Sequence, residues 1–238
     1  MDVQLRPLSY VADGLEFAGW VADGSAGAPA PGVLVIHEGG GLGDHVKERS
    51  AMLARLGYVA YAMDLFGLAE FDLERAKAIV ADLRADVAKL RRRCAAALDA
   101  LKGHHSVDTR RLAAVGFCFG GTAALELARG GADLACVVGF HAGLATSSLP
   151  EDNRRITGKV LICLGADDPV VTAEHRAGFV AGMTGAGVDW QLHLYGGVGH
   201  SFTNRQIDAW NLPGFAYDET ADRRSWAAMR TLFDETLS

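Results

Sequence analysis

The sequence predicts an α/β protein with a mostly parallel central sheet and helices on both faces, and three observations lead there. Apolar runs such as Gly32-Val33-Leu34-Val35-Ile36-His37 are continuous rather than alternating, as in strands covered on both sides. Such runs take turns with segments of helical periodicity, the order expected of parallel strands joined by crossover helices. A chain of 238 residues, 50% of them hydrophobic, can bury a large core, and its size suits one domain over residues 1–238 better than two.

The elements follow in order. LSYVADGLEFAGWVAD reads as two short strands around Asp13-Gly14, a dipeptide suited to a type I′ hairpin turn. After the small-residue loop SAGAPAPG comes the apolar strand ending at His37. A helix is expected from Asp44 to Leu56, stopped by Gly57, then a strand from Tyr58 to Met63. Leu73, Val80, Val87, Cys94 and Leu101, with Leu83 and Leu90 between them, predict one long helix from Leu73 to Leu101 that docks an apolar stripe on the core. Strands are expected at Arg111 to Val115, Leu134 to Phe140, Lys159 to Leu164 and Asp189 to Tyr195. Helices are expected after Cys118, from Thr172 to Met183 and from Asp222 to Leu237.

The net charge of −6 gives no long-range attraction to phosphate backbones, so nucleic acid is not an expected partner. The basic run Arg91-Arg92-Arg93 falls within a helical pattern. No signal-peptide pattern and no apolar run near the roughly 20 residues that span a bilayer is present, which predicts a soluble, cytoplasmic protein without membrane association. Separately, a monomer or homodimer is expected. Cys94, Cys118, Cys136 and Cys163 are scattered, with no CxxC pair, and three of them are expected in the core. His104-His105 reads as a loop pair, His45 and His175 as helix-surface residues and His193 as part of a strand. None has a zinc-ligand spacing, so no metal and no cofactor is expected.

In parallel sheets, binding residues gather beyond the carboxyl ends of the strands. The residues there are Glu38, Asp64, Cys118, His141, Asp168 and the loop carrying His200. In Gly116-Phe117-Cys118-Phe119-Gly120 the glycines flank the cysteine at plus and minus two, which suits a sharp strand-to-helix turn that presents the thiol at a helix N-terminus. The same pentapeptide also fits a glycine turn that buries a cysteine. The chain order decides more than the motif does. Leu164-Gly165-Ala166-Asp167-Asp168-Pro169 offers a carboxylate after a strand; either aspartate would serve electrostatically, and Asp168 is the choice as the acid. Tyr195-Gly196-Gly197-Val198-Gly199-His200 then supplies a base in the order nucleophile, acid, histidine.

With these segments in hand, the chain resembles the dienelactone hydrolase family, cysteine-nucleophile members of the α/β-hydrolase fold. The segments are HEGGG at His37 to Gly41, MDLFG at Met63 to Gly67, GFCFGG from Gly116, GADDPVV from Gly165 and GHSFTN from Gly199. The resemblance implies a triad of Cys118, Asp168 and His200, an oxyanion hole from the backbone amides of Phe119 and Gly39, and a carboxylate at Glu38 that accepts the thiol proton. It also implies arginines that grip a substrate carboxylate. Here Asn204 stands where that arginine is expected and Arg205 comes one place later, with Arg75 as the second candidate. His141 and Phe66 are further candidates for lining the substrate site, and Trp210, Phe215 and Tyr217 form an aromatic loop beside it.

A sulfur nucleophile also restricts the substrate. Thiolate leaves a tetrahedral intermediate more readily than alkoxide, so the competing leaving group must itself be stabilised, as in an enol lactone, an activated ester or a thioester. The expected function is therefore hydrolysis of a small-molecule activated ester or enol lactone. The alternatives are a thioesterase or broad carboxylesterase on the same residues, an idle small-molecule-binding protein, and a thiol-redox protein.

Overall fold

The computed structural model describes residues 3–68, 70 and 72–238. Among these, eight strands form one sheet: β1 (Leu5–Ala12), β2 (Leu15–Asp23), β3 (Ala30–Ile36), β4 (Val59–Met63), β5 (Val107–Phe117), β6 (Cys136–Phe140), β7 (Lys159–Gly165) and β8 (Trp190–Tyr195). Their order across the sheet is β1-β2-β4-β3-β5-β6-β7-β8. β2 pairs antiparallel with β1 and β4, and β4 through β8 run parallel. The β1–β2 hairpin turns at Asp13 and Gly14, both at positive φ (49° and 75°), as a type I′ turn requires.

Six α-helices cover the sheet: α1 (Asp44–Arg55), α2 (Leu73–Ala85), α3 (Val87–Lys102), α4 (Phe119–Arg129), α5 (Ala173–Ala186) and α6 (Glu219–Thr236). Strand residues alternate between two cores. Leu34 and Ile36 of β3 pack with α3 and α4, whereas Val33 and Val35 pack with Val46 and Leu53 of α1 and with Met229 and Phe233 of α6. The sheet is thus buried on both faces, which is why its central strands read as unbroken apolar runs.

The single long helix expected from Leu73 to Leu101 is instead two. Asp86, at φ −117° and ψ 83°, ends α2, and its carboxylate accepts from the amide of Lys89 to cap α3. Aspartate competes with the helix through such bonds and favours the N-cap. The apolar repeat runs through the break because Leu83, Leu90, Cys94 and Leu101 all enter the same core. Other boundaries differ by less: β5 begins earlier than expected, at Val107, β6 begins two residues later, at Cys136, α5 runs on to Ala186 and α6 begins at Glu219.

Candidate active site

β5 ends at Phe117 and α4 begins at Phe119, so Cys118 alone makes the turn between them. It does so at φ 52° and ψ −116°, a conformation that costs a non-glycine residue roughly 1–3 kcal/mol. Two glycines permit it. A Cβ on Gly116 would lie 2.0 Å from the carbonyl oxygen of Gly120, and one on Gly120 would lie 2.2 Å from that of Ile36. The amide of Cys118 donates to the Phe140 carbonyl (3.0 Å), and its own carbonyl accepts from Gly121 (3.0 Å), so the turn is tied to β6 and to α4. The Cys118 side chain is only partly buried, whereas Cys94, Cys136 and Cys163 are buried and burial pushes each of their thiols up to about 12. Phe119 opens α4, so its amide is one of the helix donors with no intrahelical acceptor.

Gly165 closes β7, and a Cβ there would lie 2.1 Å from the carbonyl oxygen of Val198. This close approach seats the loop carrying His200 against the loop carrying Asp168. Asp168 is buried and Asp167 is exposed. Nδ1 of His200 lies 2.7 Å from Oδ2 of Asp168, while Oδ1 of Asp168 accepts from the amide of Val170 at 2.8 Å. The other ring nitrogen, Nε2, is buried without a hydrogen-bond partner of ordinary geometry among the described residues. Burial would lower the imidazole pKa, but interaction with Cys118 and then Asp168 outweighs it and raises the value to about 10. Phe215 packs edge-on against the ring (4.8 Å, 67°), and the amide of His200 donates to the Gly214 carbonyl. The aromatic loop therefore seals the imidazole from one side.

On the other side stands Glu38, just beyond β3. His37 fixes its backbone: Nδ1 lies 2.7 Å from the Glu38 carbonyl, and Nε2 accepts from the amide of Leu65 (2.9 Å), which ties the β3 and β4 loops together. Asp64 accepts from the amides of Phe66 and Gly67, a structural use for the MDLFG segment. Oε1 of Glu38 accepts from Nδ2 of Asn204 and Oε2 lies 3.1 Å from Nδ1 of His45. Burial opposes ionisation of Glu38, but hydrogen bonds, that of His45 first and that of Asn204 with it, hold its pKa below the usual carboxylate range.

His45 departs from its expected place on a helix surface. It is buried in the first turn of α1, with its ring centroid 4.7 Å from that of Phe117 in an edge-to-face contact. Nothing in the sequence marks it beyond its spacing, seven residues after Glu38 across the GGGLG loop, which gains meaning only once the fold turns α1 back toward Glu38.

Glu38, Gly39 and Cys118 line one cavity of about 480 Å³. A Cβ on Gly39 would meet open space, so its backbone faces the cavity. The outer wall is apolar, with partly exposed Leu73, Trp210 and Leu212, and the cations on it are Lys77 and Arg84. The four residues expected to bind substrate lie elsewhere. Arg205 is exposed and stacked over Tyr217 (4.9 Å), and Arg75 is exposed in the first turn of α2. Phe66 is buried against His37. His141 is fully buried, Nε2 lies 2.8 Å from Thr203 Oγ1, and burial followed by His200 pushes its pKa far down. Arg84 was missed because the apolar repeat of the helical segment draws attention to its core stripe, whereas Arg84 sits off that stripe with its guanidinium 5.5 Å over the ring of Phe119.

Among the described residues no group of three or more His, Cys, Asp or Glu side chains is placed to hold a metal ion, and no helix is long and apolar enough to cross a membrane.

An eight-stranded, mostly parallel sheet with a strained cysteine turn and an aspartate–histidine pair at its carboxyl edge defines an α/β-hydrolase. Residues 17–237 match the model of the dienelactone hydrolase family, and the chain belongs to that family. A solved dienelactone hydrolase-like promiscuous phosphotriesterase from metagenomic libraries is 41% identical, with a TM-score of 0.95 and coverage of 99% of both chains. A structure called m3DLH is 44% identical, with a TM-score of 0.95 over 100% of both chains. A protein of Bradyrhizobium named "Probable 2-oxo-3-(5-oxofuran-2-ylidene)propanoate lactonase" is 31% identical over 76% of each chain. A Yersinia pestis relative with the provisional name carboxymethylenebutenolidase is 29% identical over 73% of this chain and 69% of its own. The protein is a carboxylic ester hydrolase of this type.

Proposed function

We propose that the protein hydrolyses an activated ester or enol lactone through a thioacyl-enzyme on Cys118. The observation that carries this reading is the strained Cys118 turn opening onto the cavity, with His200 coupled to it and held from behind by Asp168. Glu38 takes the thiol proton as the sulfur attacks the acyl carbon, and the amides of Phe119 and Gly39 stabilise the oxyanion. The acyl C–O bond then breaks and the leaving group departs as a stabilised enolate or aryloxide, which takes up the proton held by Glu38. With the sulfur acylated, the interaction with Cys118 that raises the His200 pKa is gone; His200 removes a proton from water, the hydroxide adds to the thioester, and the departing thiolate takes that proton back from His200 as the acid product is released and ionises. Sulfur favours substrates with such leaving groups over alkyl esters.

The cavity supports an amphipathic substrate. Leu73, Trp210 and Leu212 offer an apolar rim, and Lys77 and Arg84 can meet an anionic group. The same rim admits neutral aryl phosphotriesters, a second reading favoured by the 41% identical phosphotriesterase. Four free thiols, three of them buried, fit a reducing, cytoplasmic setting.

The test is hydrolysis of an activated aryl ester, a carboxylated enol lactone, a thioester, an alkyl ester and an aryl phosphotriester by the wild type and by Cys118→Ala. The enol lactone and aryl ester should turn over fastest, the alkyl ester slowest. Equal rates in the two proteins would sink the cysteine mechanism.

A further inference from the structure

The polar wall behind Glu38 separates the substrate cavity from a second cleft of about 340 Å³, and His45, Asn204 and Gln206 face both. His45 is the centre of that wall. Its Nδ1 meets Oε2 of Glu38, and its Nε2 accepts from Nε of Arg49 at 3.3 Å. Arg49 is held in turn by the Thr203 carbonyl and by Oδ2 of Asp222 on α6 (2.8 Å). Thr203 Oγ1 lies 3.3 Å from His45 Nε2 and bridges to His141. The charged and titratable groups around this imidazole are therefore Glu38 from the β3 loop, Arg49 from its own helix, Asp222 through Arg49, and His141 through Thr203.

A guanidinium can only donate hydrogen bonds. Nε2 of His45 must therefore present its lone pair to Arg49, which leaves the ring proton on Nδ1, aimed at Glu38. A second proton on the ring would have to sit on Nε2, facing the cation. We infer that His45 is a positioning residue for Glu38: a neutral imidazole, locked in one tautomer by Arg49, that donates a fixed N–H to the carboxylate.

This goes beyond the thioacyl mechanism and rests on it in one respect, the role of Glu38 as acceptor of the thiol proton. The arrangement suits that role. Both donors to Glu38, His45 and Asn204, are neutral, so the carboxylate is oriented and ionised without the direct ion pair that would oppose its protonation. Arg49 supplies its influence through the imidazole.

The test compares His45→Asn, whose amide nitrogen is bonded to Cγ as Nδ1 is, with His45→Phe, which keeps a ring against Phe117 but has no N–H. For an activated aryl ester, His45→Phe should lower kcat/KM at neutral pH by roughly 10- to 100-fold with a smaller change in KM. Because the imidazole hydrogen bond holds the Glu38 pKa down, the acid limb of kcat/KM should also move to higher pH. His45→Asn should restore most of the rate and the limb. Glu38→Gln combined with His45→Phe should lose no more than Glu38→Gln alone. Wild-type rates and limb in His45→Phe, equal impairment of both His45 variants, or additive losses in the double variant would overturn the inference. An active Cys118→Ala would instead remove the mechanism beneath it, and an inactive Cys118→Ala beside an unaffected His45→Phe would remove only this step.

Discussion

Two carboxylate–imidazole pairs flank Cys118, and they are built alike at one end and differently at the other. Asp168 meets Nδ1 of His200 at 2.7 Å, and Glu38 meets Nδ1 of His45 at 3.1 Å. In the first pair the far nitrogen, Nε2, is buried without a partner of ordinary geometry and the ring is coupled to the thiol. In the second, Nε2 is occupied by Arg49 and Thr203, and carboxylate and ring both border the substrate cavity. The environment of the distal nitrogen decides which partner can move a proton. Where it is left to the thiol, the imidazole does chemistry and the carboxylate orients it; where it is tied, the imidazole orients and the carboxylate does chemistry.

The sharpest way to break this contrast is Asp168→Asn. The amide turns a donor toward Nδ1, so the ring places its hydrogen on Nε2 and can no longer accept a proton from water. On the proposed mechanism kcat/KM for the aryl ester should fall on the order of 10⁴-fold. A loss of less than tenfold, with the fold intact by circular dichroism, would mean that His200 is not the base.

Next in size is a loss of stability at alkaline pH that traces to the first pair. The folded-state pKa of His200 is raised to about 10 from an ordinary value near 6.5. Its contribution to stability is therefore fully present below about pH 6.5 and is lost as pH climbs through about 10. Because interaction with Cys118 contributes most to the raising, Cys118→Ala should flatten that loss. Thermal melting between pH 6 and pH 10.5 checks it. Parallel curves for the two proteins would show that Cys118 does not raise the pKa of the imidazole.

The two pairs also differ in how readily the sequence betrays them. The Asp168–His200 pair was legible because it lies at strand ends in a known chain order, and because glycines at 116, 120 and 165 mark places where backbones must touch. Glu38 was legible by its place beyond β3. His45 was not, because a polar residue opening a helix ordinarily faces solvent, and only the fold brings Thr203, Asn204 and Asp222 around it. The α2–α3 break was hidden for the converse reason: an apolar repeat reports which face is buried and is silent on whether the backbone between its members is continuous. Arg205 was selected by sequence position after the histidine, yet the loop turns its guanidinium onto Tyr217.

The smallest effect concerns charge recognition, which neither pair can supply, since Glu38 is anionic and Asp168 is buried. Of the cavity-lining cations, Arg84 presents its guanidinium over Phe119, one residue from the nucleophile, while Arg205 stands outside the cavity in the polar cleft. Arg84→Met should therefore raise KM for a carboxylated ester by roughly tenfold, the value of one exposed charge-assisted hydrogen bond, and leave a neutral ester of the same leaving group within about twofold. Arg205→Ala should change neither by more than about twofold. If Arg205→Ala instead raised KM for the acidic substrate selectively, the loop after His200 would have to reorganise around the ligand. The acid-binding role would then pass from the α2 wall to the same segment whose Asn204 holds Glu38, joining substrate charge to the tied pair rather than leaving the two apart.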